Sequence, residues 1–289
     1  MLNRLTYNFE LSTLALIDIT ENKFSDIFDV KLLKVLFPAY FMYIALVFFT
    51  FYFTKINIRT KSAIVVSSYR NNMAFIGMPI LLYSFGNLAS AKASIVVAVL
   101  LPLNIILTVV FFQVFNVPLN SVANGHDDIT RRFNVKRLLK EILLDPVIIA
   151  VAAGLLISYF NLQLPIPVKN IFSILSDMAV PLALISIGAS FKFSHVKNNL
   201  KYLALINVSK LIVFPLIAML FSLYVFKLAS LDAAVIVILF GTPIAVATYI
   251  QSAKYDTDRD LISSAIITST IASAVTLSAW LFLVKMIFK

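Results

Sequence analysis

Cysteine is absent from the 289 residues, which removes disulfides, thiol catalysis and cysteine-bound metals together. Histidine is nearly absent: His126 and His195 fall in polar connectors, away from any acidic or histidine cluster, so no metal centre is expected. The six glycines form no phosphate-cradling loop, and zinc-type histidine pairs and nucleophile-elbow serines are missing. No catalytic residue and no bound cofactor is expected, and the chain does not read as an enzyme. Charged residues make up 13% against 61% hydrophobic ones, too little polar surface to coat soluble domains of this length. A lipid solvent is implied. Acid is scarcer than base, 14 residues to 24. The lysines and arginines are spread over short connectors instead of gathering on one face, which argues against a nucleic-acid partner and for a role in membrane orientation.

A membrane-crossing helix needs about 20 mostly apolar residues. Apolar runs interrupted by charge lie near 2–19, 33–54, 62–85, 93–116, 142–160, 171–190, 201–226, 231–253 and 261–288, an all-α polytopic pattern of about nine spans in the bilayer. The first run contains Glu10 and Asp18 and lacks the charged leader and clean apolar core of a signal peptide, so it is expected to stay in the mature protein. The longest polar connector, 117–140, holds Asn124-Gly125, Asp127, Asp128 and the basic residues Arg131, Arg132, Lys136, Arg137 and Lys140. It separates an N-terminal unit, 1–116, of four spans from a C-terminal unit, 141–289, of five. Counted on alternate sides of the nine spans, 14 lysines and arginines fall with the central connector and 8 opposite it. The richer side is expected to be cytoplasmic, in a bacterial inner (plasma) membrane.

The two units resemble each other. Leu14-Ala15-Leu16-Ile17-Asp18-Ile19, followed by Lys23-Phe24-Ser25, matches Leu182-Ala183-Leu184-Ile185-Ser186-Ile187, followed by Lys192-Phe193-Ser194. Gly77-Met78-Pro79-Ile80 matches Gly241-Thr242-Pro243-Ile244 in the same order and at nearly the same offset. An internal duplication follows. Pairing the first four spans with the last four leaves the fifth alone, so a complete ancestor is expected to have two sets of five helices and this sequence to be short of the opening one. An odd number of crossings per repeat inserts the second copy upside down, the inverted-repeat plan of secondary transporters.

Gly-x-Pro-Ile in the middle of the third and eighth spans is the strongest local signal. Proline removes a backbone donor and glycine tolerates unusual dihedrals, so Gly77 with Pro79 and Gly241 with Pro243 are expected to interrupt their helices at mid-membrane depth. Such breaks survive only inside protein or beside a hydrated cavity. Two breaks meeting at the centre present helix N-termini and free amides to an anion; an ordinary proline kink is the alternative. Just before the first break stands the polar stretch Ser67-Ser68-Tyr69-Arg70-Asn71-Asn72. Arg70 can hold a carboxylate through two hydrogen bonds and Asn71 or Asn72 can add amide donors, unless Arg70 only snorkels to the interface. Lys210 lies deep in the seventh span and needs an anionic substrate, a carboxylate such as Asp18, Glu10 or Asp177, or backbone carbonyls. Glu10 and Asp18, eight residues apart and close to one helix face, are weak candidates for ion or proton coupling. Asn104, near Pro102 in the fourth span, faces either a cavity or a neighbouring helix. Thr242 belongs to the second break and completes the expected substrate-binding set of Arg70, Asn71, Asn72, Asn104 and Lys210.

Arg70-Asn71-Asn72-Met73-Ala74-Phe75-Ile76-Gly77-Met78-Pro79 resembles the Arg-x-Asn-x-x-Phe-x-Gly-x-Pro pattern of the auxin efflux carrier family, which includes PIN-type auxin transporters and bacterial malate-permease-like proteins. Pro181-Leu182-Ala183-Leu184 with Ile187-Gly188-Ala189, Lys210-Leu211 with Pro215, and Gly241-Thr242-Pro243-Ile244-Ala245-Val246-Ala247 extend the resemblance in family order through essentially the whole chain. It implies ten helices in two inverted five-helix repeats, crossing broken helices that form an anion site, carboxylate substrates such as auxins or dicarboxylates, and dimerisation in several members. It places Asn71, Asn72, Gly77, Pro79, Gly241 and Pro243 at the crossover, with Arg70 and Lys210 close by. Phe9-Glu10-Leu11-Ser12-Thr13-Leu14 departs from the family by lacking a proline, and against the ten helices that the resemblance implies this sequence is expected to be short of the opening one. The expected function is a secondary transporter of a small organic anion working by alternating access; the alternatives are a membrane sensor that does not transport and a truncated, inactive scaffold.

Overall fold

The computed structural model describes residues 12–20, 30–115, 143–144, 146–175, 178, 185 and 193–287. The connector 117–140, Glu10, Asp177 and Pro181 lie outside the described residues, as does the side chain of Asp18.

All described elements are helical apart from one isolated antiparallel bridge. They are α1 (Ser12–Thr20), α2 (Val30–Tyr52), α3 (Ile58–Tyr69), α4 (Met73–Phe85), α5 (Asn87–Phe115), α6 (Pro146–Tyr159), α7 (Ile166–Leu175), α8 (Phe193–Asn198), α9 (Leu200–Val225), α10 (Ser230–Phe240), α11 (Ala247–Ser252) and α12 (Arg259–Ile287). Four of them hold apolar stretches of 21, 28, 26 and 29 residues, in α2, α5, α9 and α12. At 1.5 Å per residue the shortest of these reaches about 30 Å, the thickness of a hydrocarbon core. The expectation of an all-helical polytopic membrane protein holds.

Solvent preference is written on α12. Leu261, Ala265, Ser269, Ser273, Leu277, Trp280 and Val284, three or four residues apart, are buried, while Ile271, Val275 and Phe282 on the other face are about 70% exposed. A water-soluble helix reverses that pattern on its outer face; bulky apolar side chains turned outward suit acyl chains, and small hydroxyls turned inward suit close helix packing.

The interior is aromatic. Tyr40, Tyr43, Tyr69, Phe112, Phe214 and Phe240 are fully buried. The Tyr43 and Phe214 rings stack at 3.9 Å and join α2 to α9, and Phe214 meets Phe240 at 4.2 Å, joining α9 to α10. Helix starts follow from local chemistry. Asn57 Oδ1 accepts from Arg59 N at 2.9 Å, so α3 begins at Ile58, earlier than its apolar run at 62, because the asparagine cap satisfies the polar first turn. Asp258 Oδ1 accepts from Leu261 N at 3.0 Å and starts α12 in the same way.

The loops before α3 and α12 meet at one end of the molecule. Arg59 pairs with Asp256 at 2.7 Å, Ser62 Oγ lies 2.7 Å from Thr257 Oγ1, and Asp258 N donates to Arg59 O. At the opposite end Lys92 on α5 pairs with Asp232 in the first turn of α10 at 2.6 Å. The first junction ties the third span to the end of the eighth and the second ties the fourth to the start of the eighth, and the site lies between them.

Candidate functional site: a crossing of two interrupted helices

Both the third and the eighth spans are interrupted. The chain leaves α3 at Arg70, whose φ of −70° and ψ of 116° are extended, and coils again at Met73. It leaves α10 at Phe240 and does not resume until Ala247. The two extended stretches cross antiparallel, with Asn71 opposite Ile244. Asn72 N donates to Pro243 O at 2.9 Å and Ala245 N donates to Arg70 O at 3.4 Å. Backbone groups that neither helix can satisfy are thus paired across the crossing, the condition for unwinding a helix inside a bilayer.

One expectation needs correction. The first interruption lies at residues 70–72, before Gly77 and Pro79, which sit in the opening turns of α4. Those turns are wide: Gly77 N donates to Asn72 O, and Met78 N donates to Met73 O, five residues back. The widening lets Pro79 pass without its missing N–H breaking the helix. In the eighth span Gly241 and Pro243 do lie in the interruption itself. Unusual dihedrals are not the reason for either glycine, since Gly77 has φ −67° and Gly241 φ −76°. Close approach explains Gly77: a Cβ there meets Leu239 Cδ2 at 2.6 Å and Thr242 Cγ2 at 3.0 Å, so α4 packs directly on the end of α10. The two motifs do meet at the crossing.

The helix ends carry the electrostatics. The crossing brings together the C-termini of α3 and α10 and the N-termini of α4 and α11. Carbonyl ends carry partial negative charge and amide ends partial positive charge. Lys210, fully buried, donates from Nζ to Phe240 O at 2.8 Å and to Thr242 O at 2.6 Å, with its ammonium 5.2 Å above the Phe214 ring. Of the three kinds of partner the sequence left open, the structure supplies backbone carbonyls. Arg70 closes α3 as its C-terminal cap, is 5% exposed, and directs Nε toward Thr248 Oγ1 at 3.4 Å. The C-terminus of α10 therefore has a cation on it, and the Arg70 guanidinium lies against α11. In α4 the amides of Met73, Ala74 and Phe75 precede the first turn bonds, which begin with Ile76 N to Asn72 O.

Wide turns also surround Lys210. Residues Ser209–Val213 form one, Phe214 N donating to Ser209 O, and it precedes Pro215. The proline cannot donate to Leu211, four residues back, and Leu211 O instead accepts from Trp280 Nε1 at 2.8 Å. This holds Lys210 in register with the second interruption.

A hydroxyl and amide network lies beside the crossing. Tyr40 donates to Asn104 Oδ1 at 2.8 Å; Thr108 Oγ1 donates to Asn104 O at 2.6 Å and lies 3.0 Å from the Tyr69 hydroxyl. Asn104 thus ties α5 to α2. Thr242 Oγ1 donates to Leu239 O at 2.7 Å, so its hydroxyl finishes α10. Ile244 N donates to Ser269 Oγ at 3.2 Å, anchoring the second extended stretch to α12. Asn72 contributes its backbone N–H and C=O to the crossing.

Other groups near the crossing have no such partners. Among the described residues, Ser67 Oγ, both amide atoms of Asn71 and both amide atoms of Gln251 are buried without a hydrogen bond. Buried polar atoms are almost always satisfied, and exceptions cluster at working sites. Thr248 and Gln251, one turn apart on α11, were not singled out from the sequence. Their signal is the polar stretch Thr248-Tyr249-Ile250-Gln251-Ser252 inside an apolar span. This stretch and residues 67–72 lie on the side of the crossing that faces the Arg59 and Asp256 junction, because α3 runs from that junction to the crossing and α11 runs back toward it.

A family model described as membrane transport protein matches residues 1–281. An uncharacterized transporter of Methanothermobacter thermautotrophicus, strain Delta H, is 31% identical over 144 residues, covering 50% of this chain and 47% of that protein. The match thus spans about half of the relative's length. With the family model spanning nearly the entire chain, this protein is an integral membrane protein of the membrane transport protein family, the auxin efflux carrier group that its crossover motifs resemble.

Proposed function

We propose that this protein is a secondary transporter that carries a small organic anion, a mono- or dicarboxylate, by alternating access at the crossing. The observation that carries the reading is Asn71: an amide 8% exposed, on the bridging residue itself, with neither polar atom paired. An uncompensated amide in a membrane interior destabilises the fold unless something pairs with it in function. Electrostatics favours a negative partner. Lys210 covers the carbonyl end of α10, so the polarity left at the crossing is that of amide ends and the Arg70 guanidinium. In this reading Asn71 and Arg70 bind the carboxylate and Gln251 meets it on the Arg59 side, while Lys210, Thr242 and Asn104 hold the frame. The richer basic side, with the 117–140 connector, is cytoplasmic and the membrane a plasma membrane.

The test separates binding from folding. Asn71→Leu removes an unpaired buried amide at similar volume, so the thermal midpoint of the purified protein is expected to stay level or rise. Uptake of labelled malate or an auxin-like acid into proteoliposomes is expected to fall at least about tenfold, the loss of one charge-assisted hydrogen bond of about 1.5–3 kcal/mol. Flux unchanged by Asn71→Leu contradicts the assignment; binding without flux in the parent protein favours a sensor.

A further inference from the structure

We infer that the Lys210 ammonium is a built-in replacement for a coupling cation: the crossing carries its own positive charge where co-transporters place a metal ion. The inference rests on the transporter reading and concerns its ion requirement. In carriers with interrupted helices, unwound carbonyls and half-helix C-termini are the groups that coordinate a travelling cation. Here Phe240 O, at the C-terminus of α10, and Thr242 O, in the unwound stretch, are those groups, and the Lys210 Nζ stands 2.8 and 2.6 Å from them. Both distances suit charge-assisted hydrogen bonds and leave no space for an alkali ion between the ammonium and the oxygens. The side chain is fully buried, and among the described residues no carboxylate pairs with it. Its stem arrives from α9, a separate helix 30 residues away in sequence from Phe240, so the charge is brought to the interruption from outside it. A lysine serving only to snorkel ends in water; this one ends on the two carbonyls that the break exposes.

Two consequences follow. The intact protein needs no sodium or potassium at this position, and removal of the amine creates a need for a small cation. Purified protein in detergent at constant ionic strength tests both by thermal midpoint, in choline, sodium, potassium or methylammonium chloride. For the parent chain the midpoints are expected to coincide within about 1 °C; a saturable rise with sodium overturns the inference. Lys210→Ala is expected to lower the midpoint in choline, and methylammonium or sodium at roughly 100-fold excess over its dissociation constant is expected to recover at least half of the loss, since a ligand that binds only the folded state stabilises it by mass action. An equal loss in all four salts, or no loss, overturns it. If Lys210→Ala yields no folded protein, Lys210→Gln, which keeps an amide donor for one carbonyl without the charge, is read against the same outcomes. None of these readings uses a carboxylate, so failure of every flux assay sinks the substrate assignment alone, and a cation-independent Lys210→Ala defect sinks this one alone.

Discussion

Gly77 and Gly241 occupy matching motifs yet work under different constraints. A methyl group at Gly77 is forced within 2.6 Å of Leu239 and 3.0 Å of Thr242, both fully buried, whereas at Gly241 the nearest atoms stand 3.3 to 3.4 Å away. Gly77→Ala is therefore expected to cost about 1–3 kcal/mol, as overpacking does, and Gly241→Ala less than about 1 kcal/mol. Thermal or denaturant unfolding of the two variants side by side checks the order, and a Gly241 variant that suffers more than the Gly77 variant contradicts it. Gly86 is a third case. It ends α4 with φ +83° and has no atom within 4 Å of a Cβ, so its cost on substitution is conformational alone. At this scale the sequence was informative about which residues meet and less about why. Lys210 was legible as a cation too deep for water, but the choice among its three kinds of partner depends on where residues 240–242 lie, and no local pattern encodes that.

At the scale of single helices, prolines and wide turns go together. Pro79 follows the turn Met73–Gly77 and Pro215 follows the turn Ser209–Val213, and in each the helix widens instead of ending. A sequence reading that equates proline with interruption places the first break too late for this reason. The interruption falls where polar residues, Arg70 to Asn72, replace apolar ones and a second extended backbone is at hand to pair with their N–H and C=O groups. In α9 the carbonyl that Pro215 cannot use is taken by Trp280. Trp280→Phe keeps most of the ring packing and removes that donor, so it is expected to cost about 1–3 kcal/mol through one unsatisfied carbonyl. Trp280→Phe within Pro215→Ala, which returns an N–H to the helix, is expected to cost less. A double-mutant cycle measured by unfolding checks the coupling, and additive losses contradict it.

For the whole molecule, fold class and membrane residence were readable from hydropathy alone, since only lipid tolerates helices as apolar as α2, α5 and α9. That the two Gly-x-Pro-Ile motifs meet was foreshadowed by their recurrence in the sequence, and in the structure Gly77 packs on Leu239 and Thr242 beside the second interruption. The contributions of Thr248 and Gln251 were harder to see: a short polar helix such as α11 acquires its meaning only when the fold brings it to Arg70. The central claim is that residues 70–72 and 243–245 run antiparallel across one another and frame an anion site. Asn71 and Ile244 form the pair flanked by hydrogen bonds without being joined by them, the spacing at which opposed Cα atoms come to about 4.5 Å and a disulfide can close. Because the chain has no cysteine, the double substitution Asn71→Cys with Ile244→Cys reports on this one contact, with cleavage engineered into the connector to separate the halves. Mild oxidation in native membranes is expected to link the two halves in most molecules, and reductant to separate them again. Halves that stay unlinked, while an Arg59→Cys and Asp256→Cys pair at the neighbouring junction links readily, contradict the crossing and with it the site.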